Sequence, residues 1–332
     1  MYVVQVAAGR DAAGTMKPLS GRIPYPLLIA VVAFLVSGCS MKKVTANFVA
    51  GTLSRESSSS VFSADDDPEL VGDALPFAIK LYESLLAGSP NNPPLLLAAG
   101  RSLCMYSYAF VQVPAEEMSY AELEQKEEML QRAKHLYLRG RDDILRAMSV
   151  RHPHFTENLN QGDYDAAFKG VTARDTSYLY WAGMSWMAAA MADKSDVGLT
   201  VDIPKAVALI RKVMEFKDSY CEGAAHEFFL SYYGSMPAAM GGSELKAREH
   251  FGLALKYSKG AKVSPYIALA TTVCVRSQNL PEFKALLETA LKVNVNKDLN
   301  NRLVNILNQH KARWLLEHAD DYFLPAEGDT VQ

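Results

Sequence analysis

From Pro68 to Phe323 the apolar residues recur at three- and four-residue intervals, the spacing of one helix face, and no alternating strand pair interrupts them. Over 75–86 the stripe passes through Ile79, Tyr82, Leu85 and Leu86, and Gly88 and Pro90 stop it. Pro93 and Pro94 open a second helix with Leu96, Ala99, Gly100 and Leu103 along one face. The segment 176–192 is apolar all round, which predicts a helix at the centre of the body or along a cavity wall. Ser119 to Met148 reads as a helix whose charged start projects from the body, and Asp298 to Phe323 as one long closing helix.

Within these helices small and large residues alternate in a repeated order. Ala78, Tyr82 and Leu85, with Pro90 beyond them, read small, large, large, proline. Ala133–Tyr137–Gly140, Ala206–Ile210–Val213 and Ala247–Phe251–Ala254 repeat the motif, and Phe283–Leu287–Ala290 comes last without the small first residue. Leu179, Ala182, Gly183 and Trp186 match the partner helix of such a pair. A small residue at the crossing lets two helices nest while the large one fills the facing groove. The starts at 78, 133, 206, 247 and 283 are unevenly spaced, unlike the regular period of about 34 residues of tetratricopeptide arrays. The pattern therefore predicts an all-α fold: a degenerate tetratricopeptide-like helix-turn-helix array, an α-solenoid, with a long C-terminal capping helix.

Ahead of this body the pattern changes. Lys17 and Arg22 precede an uncharged stretch from Pro24 to Val36, which ends in Ser37-Gly38-Cys39. A basic start, a short apolar core and small residues before a cysteine form a secretory signal with a lipid-accepting thiol at Cys39. The core is too short to span a bilayer, which takes about 20 residues. Met16 opens a signal of ordinary length, so residues 1–15 read as a misassigned start. The expected organisation is a signal over 1–38, a lipidated flexible tether over 39–67, the helical domain over 68–324 and a frayed tail over 325–332. The tether carries Ser57 to Ser60 and then Asp65-Asp66-Asp67, a solvated turn that supplies the first helix cap rather than a calcium loop.

Charge and chemistry narrow the function. The 332 residues carry 34 basic and 37 acidic side chains, a net charge of -3. Removal of 1–38 takes three of the basic and one of the acidic ones, which moves the net charge to -5. No basic field exists to attract nucleic acid. Phosphate loop, nucleophile elbow, zinc-protease and calcium-loop motifs are all absent, and no cofactor is expected. Cys104, Cys221 and Cys274 form no CxxC pair, and Cys104 and Cys274 sit among apolar residues as buried thiols. His152-Pro153-His154 lacks an acidic ligand set for a metal, whereas His226 and His250 fit capping or core hydrogen bonding. The residues read as a binding protein, not an enzyme.

Aromatic and sulfur side chains supply the candidate surface. Tyr178, Trp181 and Trp186 lie on 176–192 with Met184, Met187 and Met191. Tyr232 and Tyr233 lead into the loop of Met236, Pro237, Ala238, Ala239, Met240, Gly241 and Gly242. Both groups fit either the core or the wall of a pocket for an apolar ligand.

The stretch Met236–Ser243, then Lys246–Phe251, Ala254 and Ser258-Lys259-Gly260, together with Phe283, Leu286, Leu287 and Arg302–Asn308, resembles the T-component of tripartite ATP-independent periplasmic (TRAP) transporters. The resemblance implies a periplasmic lipoprotein with tetratricopeptide-like helices, anchored to a membrane through Cys39 and self-associating as a homotrimer. It also implies a partner, the solute-binding protein of the transporter, and makes the Met236–Ser243 loop the prime functional surface. The alternative reading is a scaffold lipoprotein for envelope assembly with no transport role.

Overall fold

Two glycines set a close backbone crossing between helices. In a computed structural model, which describes residues 61–325, helix α1 (Pro68–Gly88) is followed by α2 (Pro93–Ser107), a π-helical turn (Tyr108–Gln112) and the short α3 (Val113–Glu116). The long α4 (Leu123–Arg151) then crosses α2 where Gly100 and Gly140 meet. A Cβ on Gly100 would lie 2.5 Å from the Gly140 carbonyl oxygen, so only glycine lets these backbones touch. Tyr137, Ile144 and Met148 on α4 are fully buried beside that crossing. The first turns of α4 bury nothing before Ala133, as its charged start predicts.

Short α5 (Phe155–Gln161) and α6 (Tyr164–Ala167) lead into the hairpin of α7 (Thr176–Ala192) and α8 (Val197–Phe216). Gly183 repeats the nesting here, with its Cβ position 2.8 Å from the Ile210 side chain. Helix α7 packs against both α4 and α8, which explains why it carries no polar face. Next come α9 (Ala224–Ser235) with α10 (Glu244–Ser258), then α11 (Ser264–Leu269), a second π turn (Ala270–Cys274) and α12 (Leu280–Leu291). The closing helix is α13 (Arg302–Glu317). No strand occurs among the described residues, and the architecture is the all-α, solenoid-like array of helix pairs. Ala133, Ala206, Ala247 and Ala254 are all fully buried, as the small-residue pattern requires.

The closing helix differs from the expectation. It covers 16 residues rather than the whole of 298–323. Asp298 turns its carboxylate onto the Asn300 amide and sets a 3-10 turn ahead of α13. At the other end His318 stacks on Trp314 and begins a second 3-10 turn, with Asp320 and Asp321 in it. Two acids beside a helix C-terminus oppose its dipole, which favours stopping there. Leu299, in the 3-10 turn ahead of α13, is exposed.

Helix α13 also packs against the start of the array. Leu303 and Leu307 join Val71 and Leu75 of α1 in a separate apolar cluster with Tyr106 and Phe110. Arg302 pairs with Asp66, Tyr108 donates to Asn308 (3.2 Å), and Lys311 donates to Glu116 (2.5 Å). Asp67 caps α1 by accepting from the Leu70 amide (3.0 Å). Among the described residues no helix is long and apolar enough to cross a membrane. Cys39, the signal over 1–38, the tether up to 60 and the tail from 326 lie outside the described residues.

Candidate functional site

Between α9 and α10 the chain makes a tight turn whose shape is fully specified. Met236 leaves α9 in an extended conformation and is buried, while Pro237, Ala238, Ala239, Met240 and Gly241 are exposed. The Met240 and Gly242 amides donate to the Pro237 carbonyl, at 2.9 and 3.0 Å, and the Ser243 amide donates to the Tyr233 carbonyl at 2.9 Å. The Tyr232 hydroxyl donates to the Met240 carbonyl (3.1 Å). Arg276, from beyond the second π turn, donates to the Gly234 and Met236 carbonyls at 2.7 and 3.3 Å. Gly241 sits at φ +93°, and a Cβ on Gly242 would fall 1.7 Å from the Met236 carbonyl oxygen. Both glycines are therefore required by geometry. Ser243 then caps α10 through the Lys246 amide (3.3 Å).

The result is a rigid apolar knob. Met240 is 44% exposed and Leu245, in the first turn of α10, is 70% exposed. Apolar groups are thus held at the surface by a fixed set of hydrogen bonds.

The other aromatic candidates do not converge on it. Tyr178 is buried beneath the Arg151 guanidinium, 5.0 Å from its ring centre. Trp186 is buried between Arg141 (4.7 Å) and Lys205 (5.5 Å). It borders an open groove of about 550 Å³ between α4, α5, α7 and α8, where Arg141 is paired with Asp142 and Lys205 with Asp202. Trp181 is half-buried and packs edge-on against Tyr180 (5.4 Å), which in turn packs against Tyr220 (5.2 Å). Tyr232 and Tyr233 form their own group, 5.1 Å apart, directly under the knob. No ring contact joins Tyr178, Trp181 or Trp186 to Tyr232 or Tyr233 among the described residues.

Polar groups missed by sequence reasoning lie deeper. Lys262 is 6% exposed, and its ammonium donates to Glu227 (2.9 Å) and to the Cys221 carbonyl (2.6 Å). Burial works against its charge, but Glu227 more than compensates and holds its pKa above the usual lysine value. Burial raises the pKa of the Tyr108 and Tyr180 hydroxyls, and the Glu227 carboxylate adds to the shift. Such pairs join residues 35 or 195 positions apart (Lys262–Glu227, Lys311–Glu116) and leave no local pattern to read.

Chemistry at the remaining candidates is quiet. His152 approaches Asp175 (3.1 Å) while His154, at φ +66°, turns away to Glu157 (3.0 Å). Burial pushes the Cys104 thiol up to about 11 and the Cys274 thiol up to about 12, so neither is a nucleophile at neutral pH. Among the described residues no three His, Cys, Asp or Glu side chains are placed to hold a metal ion.

Fold and site together define a helical-array protein with a hydrogen-bonded apolar turn at its surface. The chain belongs to the TRAP transporter T-component family, whose model matches residues 64–323. It is thus a component of a TRAP transport system, an accessory subunit and not a member of an enzyme family. A relative, an uncharacterized protein of Treponema pallidum (strain Nichols), is 32% identical over 305 residues, covering 87% of this chain and 94% of its own length.

Proposed function

We propose that this chain is the periplasmic lipoprotein subunit of its TRAP system, and that it docks the solute-binding protein through the Pro237–Met240 knob. The observation that carries this reading is the combination of exposure and rigidity in the turn. Five amide and side-chain donors fix a surface of Pro237, Ala238, Ala239 and Met240 that is exposed to solvent. A preformed apolar surface loses little conformational entropy on binding, which favours recognition of a folded partner.

Cys39 supplies the anchor in this reading, and two or more acyl chains hold the body at a membrane surface, since each buried methylene contributes about 0.8 kcal/mol. Self-association, as a homotrimer, is assigned to α1, where Leu70, Phe77 and Leu81 form an exposed apolar stripe on one face. The half-buried Tyr180, Trp181 and Met184 offer a wall for a hydrophobic solute.

The decisive experiment measures binding between the purified mature chain and the solute-binding protein of the same transport system, with Met240→Ser and Gly242→Ala beside the natural sequence. Docking through the knob requires both substitutions to weaken binding at unchanged helix content. Full binding by both, or no binding by the natural chain, overturns the assignment and leaves an envelope scaffold as the better reading. Light scattering on Phe77→Asp tests the oligomer, with a smaller assembly expected.

A further inference from the structure

Beneath the knob lies a pair of histidines that the docking role does not use. His226 on α9 and His250 on α10 bring their Nδ1 atoms to 2.9 Å. One of these atoms must carry a proton and the other a lone pair, because two protonated nitrogens cannot share that distance. Asp218 Oδ1, from the α8–α9 connection, lies 3.2 Å from His226 Nε2, out of line for a good hydrogen bond. That carboxylate is itself held by the Tyr257 hydroxyl, whose ring stacks on His226 at 5.3 Å. His250 packs against both Phe229 (5.2 Å) and Tyr233 (5.6 Å), which also pack on each other at 5.7 Å. The charged and titratable side chains that face the pair are Asp218, Tyr257, Tyr233 and Lys246, the last with its ammonium 5.2 Å from the Tyr233 ring centre.

We propose that the His226–His250 pair is a proton-operated hinge under the contact knob, which keeps the turn in shape while the imidazoles share one proton and releases it when both are protonated. The coupling is direct. Tyr233 stacks on His250 with its ring and accepts the Ser243 amide with its carbonyl, so a displaced ring pulls on the cap of α10 and on the Gly241–Gly242 corner. The first added proton goes to His250 Nε2 and preserves the shared bond. The second must go to the lone-pair nitrogen between the rings, and the rings then have to part. Tyr257 and Asp218 stay in place on the His226 side, so the movement falls on His250 and the turn it supports.

Burial, and then the neighbouring His226, lower the His250 pKa to about 4, and burial lowers that of His226 as well. Both values lie below the unfolded value of about 6.5, so the folded pair takes up protons less readily than the open one. The closed state is therefore fully favoured above about pH 6.5 and loses up to about tenfold per pH unit through His250 as pH falls from there toward 4, with His226 acting in the same direction.

The consequence for partner binding rests on the docking role assigned to the knob, but the test reads the hinge itself. Hydrogen exchange on the full mature chain, corrected for intrinsic rates, compares about pH 7 with about pH 5. Amides over 240–247 are expected to lose at least about tenfold in protection while those of α4 and α7 hold, and His250→Phe should remove the difference. Equal protection at both pH values, or the same loss in His250→Phe, overturns the hinge. Should His250→Phe fail to fold, ring-nitrogen NMR titration of the unsubstituted chain decides. Neutral rings below about pH 5.5 support the pair, and either ring titrating near 6.5 refutes it.

Discussion

The α2–α4 and α9–α10 pairs are built on opposite plans. At the first crossing, glycine faces glycine and the backbones touch, with Ile144 and Leu103 packed beside them. At the second, aromatic and imidazole rings fill the seam between the helices, and the connecting turn exposes apolar groups to solvent. The difference separates two jobs within one repeat architecture. A backbone contact has a single satisfactory geometry and resists change, whereas a layer of rings with a shared proton has alternatives within reach. The front of the array is a frame, and the back carries the exposed turn to which we assign docking.

That contrast is breakable. The largest effect is expected from Gly100→Val, whose Cβ would also lie 2.6 Å from the Ile144 side chain. Overpacking in a core costs about 1–3 kcal/mol, and a clash with backbone belongs at or above the top of that range. Urea unfolding should show a loss of about 3 kcal/mol or more, and a loss below about 1 would mean that the frame is not a frame.

Acid should divide the two regions next. Asp193 is held below the usual carboxylate range by Lys134, then by Ser195 and Gln131. Asp175 is pushed up by burial but pulled down further by the Thr172 amide and Arg151. These carboxylates tie α4 to α7, and their contribution is complete above the unfolded value of about 4 and disappears only as pH falls below it. The α9–α10 region should instead loosen between about pH 6.5 and 4, so site-resolved exchange should show two separate acid transitions. A single transition below about pH 4 would remove the distinction.

Gly242→Ala sharpens it at smaller cost. The new methyl group cannot occupy its place 1.7 Å from the Met236 oxygen, so the turn must rearrange. An exposed turn can relax, and the global stability change should stay near 1 kcal/mol while solute-binding protein affinity falls. The smallest change is Met240→Ser, expected within about 0.5 kcal/mol by thermal unfolding because the side chain packs on little of its own chain. Its effect should appear in partner binding alone.

Much of the frame was legible from residue order. Ala133, Tyr137 and Gly140, and likewise Ala206, Ile210 and Val213, were assigned inward positions by spacing, and all six are buried. Less could be read where geometry departs from a helix without a change of residue type. The π turns at Tyr108–Gln112 and Ala270–Cys274 consist of ordinary helix-compatible residues. Each shifts the register of the next helical turn, the first just ahead of Pro114 and the second without a Gly or Pro within it. The knob was legible from its Pro and paired Gly, but the layer beneath it was not. His226 and His250 lie 24 residues apart on different helices, and only the packing of α9 on α10 brings them together. The split among the aromatic candidates was equally hidden. Tyr178, Trp181 and Trp186 share a helix that is apolar on every side, so spacing could not tell which faces the frame and which the interior.

The contact of α13 with α1 has a consequence for how such a protein can evolve. Open repeat arrays change length by gaining or losing a unit, because each unit touches only its neighbours. Here Leu303 lies on Val71 and Leu75, and Lys311 reaches Glu116 across the chain. One more helix pair, or one fewer, would carry these groups out of reach and strand a charge without its counterpart. Descendants of this chain are therefore free to vary their loops but are bound to keep their number of repeats.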